Sequence, residues 1–178
     1  RDASDALAAD EVIVLPNDSN IVASARHAAE LSTKRVEVVP TKTIQQGIAA
    51  LAAFNFEASL TENVDAMTES ARYVRSLALA RASRDAVIDE LEFRAGEYLG
   101  TIDGTPRVTG SDACKLTLEL FQVAEAEEFE LATIFIGAPT DNGFVETLRG
   151  ELAARFPELE IEIAAGGQPH YDLLIALE

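Results

Sequence analysis

The sequence contains one cysteine, Cys114, and two histidines, His27 and His170, far apart along the chain. A lone thiol excludes an internal disulfide and leaves no second thiolate for a zinc site, a usage that fits a reducing cytoplasm. Basic residues are scarce: 14 lysines and arginines stand against 31 aspartates and glutamates, a net charge of −17. That balance repels phosphate backbones and anionic bilayers, so nucleic acid and lipid surfaces are poor partners. No apolar run reaches the length of a transmembrane segment, and no signal-peptide pattern opens the sequence. A Walker loop, a Gly-x-Ser-x-Gly elbow and metal-ligand spacing are also missing, so no catalytic or metal-binding residue is assigned. The first residue is Arg1 rather than methionine. The expectation is a piece of a longer cytosolic polypeptide.

What is present is enough for a real core, since 48% of the 178 residues are hydrophobic, in a length that suits one domain or two small lobes. The run EVIVLP (residues 11–16) reads as a buried strand closed by proline. NDSN (17–20) supplies turn and cap residues for a helix with Ile21, Ala25, Ala28 and Ala29 on one face. The same grammar repeats at once: strand RVEVVP, loop TKT, helix IQQGIAALAAF. Thr43 and Gln46 have the spacing of a capping box, in which the amide returns to the threonine's own N–H. Two consecutive strand–helix units predict a parallel arrangement, with both polar loops at the edge where open α/β folds bind ligands.

The middle of the chain changes character. SLTENVDAMTESARYV places Leu60, Val64, Met67, Ala71 and Val74 at helical spacing, with Ser59 and Glu62 as a second capping box and Met67 in the core. From Ser76 the sequence is strand-like, and Asp103-Gly104 marks a hairpin. Ser111 is the expected cap of a helix reaching about Glu127. Strand LATIFIG, a helix over 142–156, and strands LEIEIAA and YDLLIAL follow. The expected organisation is an α/β chain of two small lobes. The first, residues 1–65, is a Rossmann-like lobe of parallel strand–helix units, truncated at its start. The second, residues 66–178, is a mixed sheet with a β-hairpin insert.

Few residues carry chemistry. His27 falls on the polar side of its helix and reads as solvated. His170 stands in GGQPHY, where Gly166 and Gly167 permit positive φ and close backbone approach, and Gln168 can donate and accept. That stretch reads either as a polar site or as a tight strand-to-strand turn. Lys42 is a cation at a helix amino terminus, where the dipole disfavours it by a few tenths of a kcal/mol. With Thr41, Thr43 and the helix amides it could receive phosphate or carboxylate; the plainer reading is an ammonium that reaches water or one of the many acids.

The segments VIVLPNDSNIVASARHAAEL, VVPTKTIQQGIAALAAFN, RDAVID, YLGTIDG and GGQPHYDLLIALE, in this order, resemble the C-terminal, DegV-related region of the Dak-domain fusion proteins that form the A-type subunit of fatty acid kinase. The resemblance covers nearly the whole chain and implies a DegV-like fold. It implies a kinase whose separate amino-terminal domain binds ATP and magnesium and converts an acyl carboxylate to an acyl phosphate. This region would then be non-catalytic, without a cofactor of its own, and would dock a separate acyl-binding DegV-type protein in the cytoplasm. A homodimer would form through the full-length protein. The alternative is a domain binding a small carboxylate or phosphate. The family's polar stretches fall on Asn17 and Asn20, on Thr41, Lys42, Thr43, Gln46 and Gly47, on Arg84 and Asp85, and on Gly166, Gly167, Gln168, His170 and Tyr171. Ala86 stands where the family often has threonine.

Overall fold

The computed structural model describes residues 6, 8–138 and 140–178, with Asn142 by its backbone alone. Arg1, on which the expectation of a truncated start rests, lies outside the described residues. The chain divides into two compact units, Arg1–Val74 and Arg75–Glu178. The division comes later than the expected one after residue 65. A helix over Leu60–Tyr73 runs unbroken through that point, and its Met67 and Ala71 belong to the core of the first unit.

In the first unit, β1 (Glu11–Val14) pairs in parallel with β2 (Arg35–Val38), Val12 lying opposite Val36. Between them α1 (Val22–Glu30) packs on β2. Helices α2 (Ile44–Ala52) and α3 (Leu60–Tyr73) follow. Val39, Ala50, Met67 and Ala71 form the core, with Ile13, Leu15, Phe54 and Val64 against it. The expected strand–helix units are both present. The expected cap of α1 is not: its N-cap is Ile21, which makes no side-chain cap bond. The polar residues before it close on themselves, Asn20 N–H donating to Asp18 Oδ1 at 2.8 Å.

The start of α3 does match the sequence pattern. Ser59 Oγ accepts from Glu62 N–H, and Glu62 Oε2 accepts from Ser59 N–H at 2.9 Å and from the Ser59 hydroxyl at 2.6 Å. Asn63, one turn on and buried, ties down the preceding loop. Its Oδ1 accepts from Asn55 N–H at 2.7 Å while its Nδ2 donates to Asn55 O at 2.9 Å.

The second unit is built on a six-stranded sheet formed by β3 (Arg75–Arg81), β6 (Tyr98–Ile102), β7 (Thr105–Gly110), β8 (Leu131–Ile136), β9 (Glu160–Ala165) and β10 (Leu173–Leu177). Their order is β7-β6-β3-β10-β8-β9; β8 and β9 are parallel and the other pairs antiparallel. One face of the sheet, with Leu77, Leu79, Ile134, Leu173, Ile175 and Leu177, packs on helices α4 (Ala113–Val123) and α5 (Asn142–Arg155) through Leu120, Phe121, Leu148 and Leu152. The β6–β7 hairpin turns at Asp103 and Gly104, both at positive φ as expected. Asp103 also accepts from Ser76 N–H at 3.0 Å, which fastens the turn to β3.

A further hairpin, β4 (Ala86–Ile88) with β5 (Leu91–Phe93), turns on Asp89 and Glu90, both left-handed without a glycine between the strands. Two expected bounds also move. The cap of α4 is Asp112 rather than Ser111, its carboxylate accepting from Lys115 N–H at 3.1 Å. The same helix stops at Val123 instead of Glu127, because Glu125 turns left-handed and a short 3-10 turn, Ala126–Glu128, follows.

The capping box of α3 makes this helix sensitive to acid. The Ser59 hydroxyl and backbone N–H hold the Glu62 carboxyl below its ordinary value. A carboxyl depressed in the folded state contributes stability above its unfolded pKa and loses that contribution as pH falls through the folded one. Glu62→Gln keeps a capping amide but cannot titrate. Melting curves across acidic pH are therefore expected to show wild type more stable than Glu62→Gln near neutrality, with the gap closing as the pH drops below the carboxylate range. A gap independent of pH would contradict this.

Candidate functional site

The carboxyl ends of β1 and β2 bring their two loops together, as their parallel pairing requires. Asn17 adopts a left-handed conformation, φ 57°. Its backbone N–H donates to Thr41 Oγ1 at 3.1 Å, and the Thr41 hydroxyl donates to Asn17 Oδ1 at 2.8 Å. Thr41 is fully buried. A Cβ on Gly47, in the first turns of α2, would land on the Asn17 carboxamide, so the absence of a side chain at 47 is what lets the asparagine lie against the helix. Asn17, Thr41 and Gly47 thus form one filled junction. Asn20 is exposed and stands outside this cluster, bonded within its own turn.

The amino terminus of α2 departs from the expected capping box. Thr43 Oγ1 accepts from Gln46 N–H at 3.2 Å, as a cap should. The return bond goes elsewhere: Gln46 Oε1 accepts from Lys42 N–H at 2.8 Å. Thr43 is extended (φ −138°, ψ 161°), and the amide reaches one residue further back along the entering chain. The Lys42 side chain is exposed and makes no ion pair among the described residues.

Beyond α2 lies an apolar cleft of about 490 Å³. Ile13 and Leu15 line one wall, Leu51, Phe54 and Phe56 another, and Leu60 and Met67 the floor from α3, with Glu11 at the rim. Phe56 is 93% exposed and meets Phe54 edge-on at 4.9 Å. Glu11 is held by Arg35 at 2.8 Å. Sequence reasoning missed this feature. Its signal is the helix IQQGIAALA itself, which has apolar residues on more of its circumference than one buried face uses.

In the second unit the GGQPHY stretch is a structural crossover. The strand order takes the chain from β9 across the end of β8 to β10. Gly166 and Gly167 N–H both donate to Ile136 O, Gln168 Nε2 donates to Phe135 O at 2.9 Å, and Gln168 O accepts from Ala138 N–H. A Cβ on Gly137 would overlap the Tyr171 carbonyl oxygen, so the crossing chain lies directly on β8's last turn. The tight-turn reading therefore accounts for Gly166, Gly167 and Gln168, while His170 and Tyr171 are exposed. Arg84 is exposed, and Asp85 Oδ1 accepts from Ala95 N–H at 2.8 Å, closing the base of the β4–β5 hairpin. The structure thus joins Asn17, Thr41 and Gly47 directly, with Lys42, Thr43 and Gln46 beside them. Residues 84–85 and 166–171 serve other loops. His27 is solvated and lies 3.6 Å from Glu30. Burial, with Asp112 and Glu151 nearby, pushes the Cys114 thiol up, which reduces its thiolate fraction and its nucleophilicity.

Residues 2–178 match the FakA-like C-terminal family, the carboxyl-terminal region of proteins like the A-type subunit of fatty acid kinase. The chain belongs to this family. An uncharacterised protein of Staphylococcus aureus (strain USA300) is 32% identical over 166 residues, which are 93% of this chain and 30% of the relative. The chain therefore spans about a third of the length of the curated relatives it matches. Among solved structures it is similar to a DegV family protein from Corynebacterium glutamicum (TM-score 0.66, 18% identity, covering 94% of this chain and 75% of that one). It is also similar to the Streptococcus pneumoniae fatty acid kinase B3 protein loaded with linoleic acid (TM-score 0.63, 12% identity, 96% and 72%). The fold of this family member is thus that of DegV proteins. No helix among its described residues is long and apolar enough to cross a membrane.

The junction at α2 sets an expected ranking of variants in thermal and urea melts. Thr43→Ala loses a helix cap and should cost about 1 kcal/mol. Gly47→Ala forces Asn17 off Thr41 and should cost about 1–3 kcal/mol. Lys42→Ala should stay within about 0.5 kcal/mol. A Lys42→Ala loss as large as that of Gly47→Ala would place the lysine in the junction.

Proposed function

We propose that this chain is a non-catalytic docking domain of a two-component fatty acid kinase. It engages an acyl-binding DegV-type protein in the cytoplasm. A separate ATP- and magnesium-binding domain of a longer polypeptide transfers the γ-phosphoryl group to the acyl carboxylate, giving an acyl phosphate and ADP. Family membership supports the kinase context, and the filled junction supports docking over ligand capture. Thr41 and Asn17 satisfy each other, and Asn17 occupies the space above Gly47. A polar cradle for a headgroup needs open donors at that place. Net charge of −17 favours a partner with a basic face and steers its approach.

The small-ligand reading has one observation in its favour, the exposed Lys42 ammonium at the amino end of α2. Its weakness is that the Lys42 and Gln46 N–H groups, which an anion there would use, already donate to Gln46 Oε1 and Thr43 Oγ1. A charge whose neighbouring amides are already engaged is a weaker anion site.

Binding kinetics against a purified acyl-binding DegV-type protein test the docking reading. A complex is expected, and its association should slow as salt shortens the Debye length from about 10 Å at 0.1 M to about 3 Å at 1 M. With ATP, magnesium, a fatty acid and that partner, the chain by itself should release no ADP. ADP release that tracks the chain through purification would overturn the non-catalytic assignment.

A further inference from the structure

Helix α2 is apolar on more of its surface than the described residues of its unit cover. Gln45, Gly47, Ala49 and Ala50 are buried on the inner side. Ile44, Ile48 and Leu51, spaced four and three apart, form an outer row that is 43%, 41% and 62% exposed. A helix that is apolar all round is ordinarily covered all round. Phe56 extends the apolar surface past the helix end and stands beside the cleft lined by Leu51, Phe54 and Leu60.

The charges at the two ends of this row have opposite sign. Lys42 is exposed ahead of the first turn; Glu57 and Glu62, both exposed, follow Phe56, and Glu11 stands at the cleft rim. The helix dipole favours acids at the amino end and cations at the carboxyl end. Lys42 and Glu57 are placed the other way, so neither serves the stability of α2. Together they polarise the row along its length.

We propose that the row Ile44, Ile48, Leu51 and Phe56 is the face that receives the partner, and that its occupant is an apolar helix or ridge of a protein. That element would carry Lys or Arg opposite Glu57 and Glu62 and an acid opposite Lys42. The proposal rests on the docking reading and specifies its surface and its chemistry. Charge complementarity selects this occupant. A second copy of the chain would bring another −17 to the face, and an acyl chain would find no cation for its carboxylate among the residues lining the cleft, Arg35 being paired with Glu11.

The test uses the 178-residue chain and a purified acyl-binding DegV-type protein, with melting curves as the folding control. Ile48→Glu and Leu51→Glu should each weaken binding about tenfold or more without shifting the melt. Should a glutamate shift it, Leu51→Ser repeats the test without a new charge. Glu57→Lys should lower the association rate and flatten its salt dependence. If wild type binds and the Ile48 and Leu51 variants bind equally well, the row is not the interface, although the docking reading stands. No binding by wild type overturns both. A wild-type dimer dissolved by Leu51→Glu, or fatty acid binding abolished by it, would assign the face to a second copy or to an acyl chain and overturn the proposal.

Discussion

The bond pair between Asn17 and Thr41 is the constraint on which the first unit turns. A two-stranded parallel sheet has little cohesion of its own, and this pair closes the two loops that leave it. Because Asn17 then lies against Gly47, the same contact fixes the approach of α2 to the sheet, and with it which residues of α2 turn inward. Ala49 and Ala50 are small enough for the close packing against α3 that follows. The bulkier Ile48 and Leu51 are left outside. The apolar face is thus a consequence of the hydrogen bonds at the loop, carried through a helix that has no freedom to rotate without opening them.

Much of this arrangement was legible in the sequence. Short β-branched runs closed by proline located β1 and β2, their repetition implied parallel pairing, and parallel pairing brought Asn17 and Thr41 to one edge. Ser59 with Glu62, and Asp103 with Gly104, carried local bonding patterns that need no tertiary knowledge. What stayed hidden depends on long-range placement. The turn at Asp89 and Glu90 lacks the glycine that signals a hairpin, and is held from outside by Asp85 bonding Ala95. Gln46 has the spacing of a capping partner, yet its carbonyl oxygen bonds the Lys42 N–H. Nothing in GGQPHY says that its polar atoms are needed to cross β8; that follows only from the strand order.

The residues of this family's polar stretches accordingly divide by physical role. Those at 17, 41 and 47 close a junction, those at 85 and 166–168 pin loops, and Lys42 and His170 face solvent. Polar residues within loops are often retained for backbone satisfaction, and here that use explains more of them than ligand contact does. The surface chemistry of the first unit instead comes from apolar residues that its own core does not cover, bordered by charges of opposite sign at the two ends of α2.

The position of β10 has a consequence for how the second unit is made. Leu173–Leu177 is inserted between β3 and β8, with Leu173 opposite Leu79 on one side and Ile136 on the other. As the polypeptide emerges from the ribosome, β3 and β8 both precede this strand and present bare hydrogen-bonding edges until it arrives. Pairing across so much intervening chain is slow, and unpaired edges invite other chains. The central seam of the sheet is therefore sealed after every other strand of this unit has been made, and a nascent chain stalled before Leu173 would be a template for aggregation.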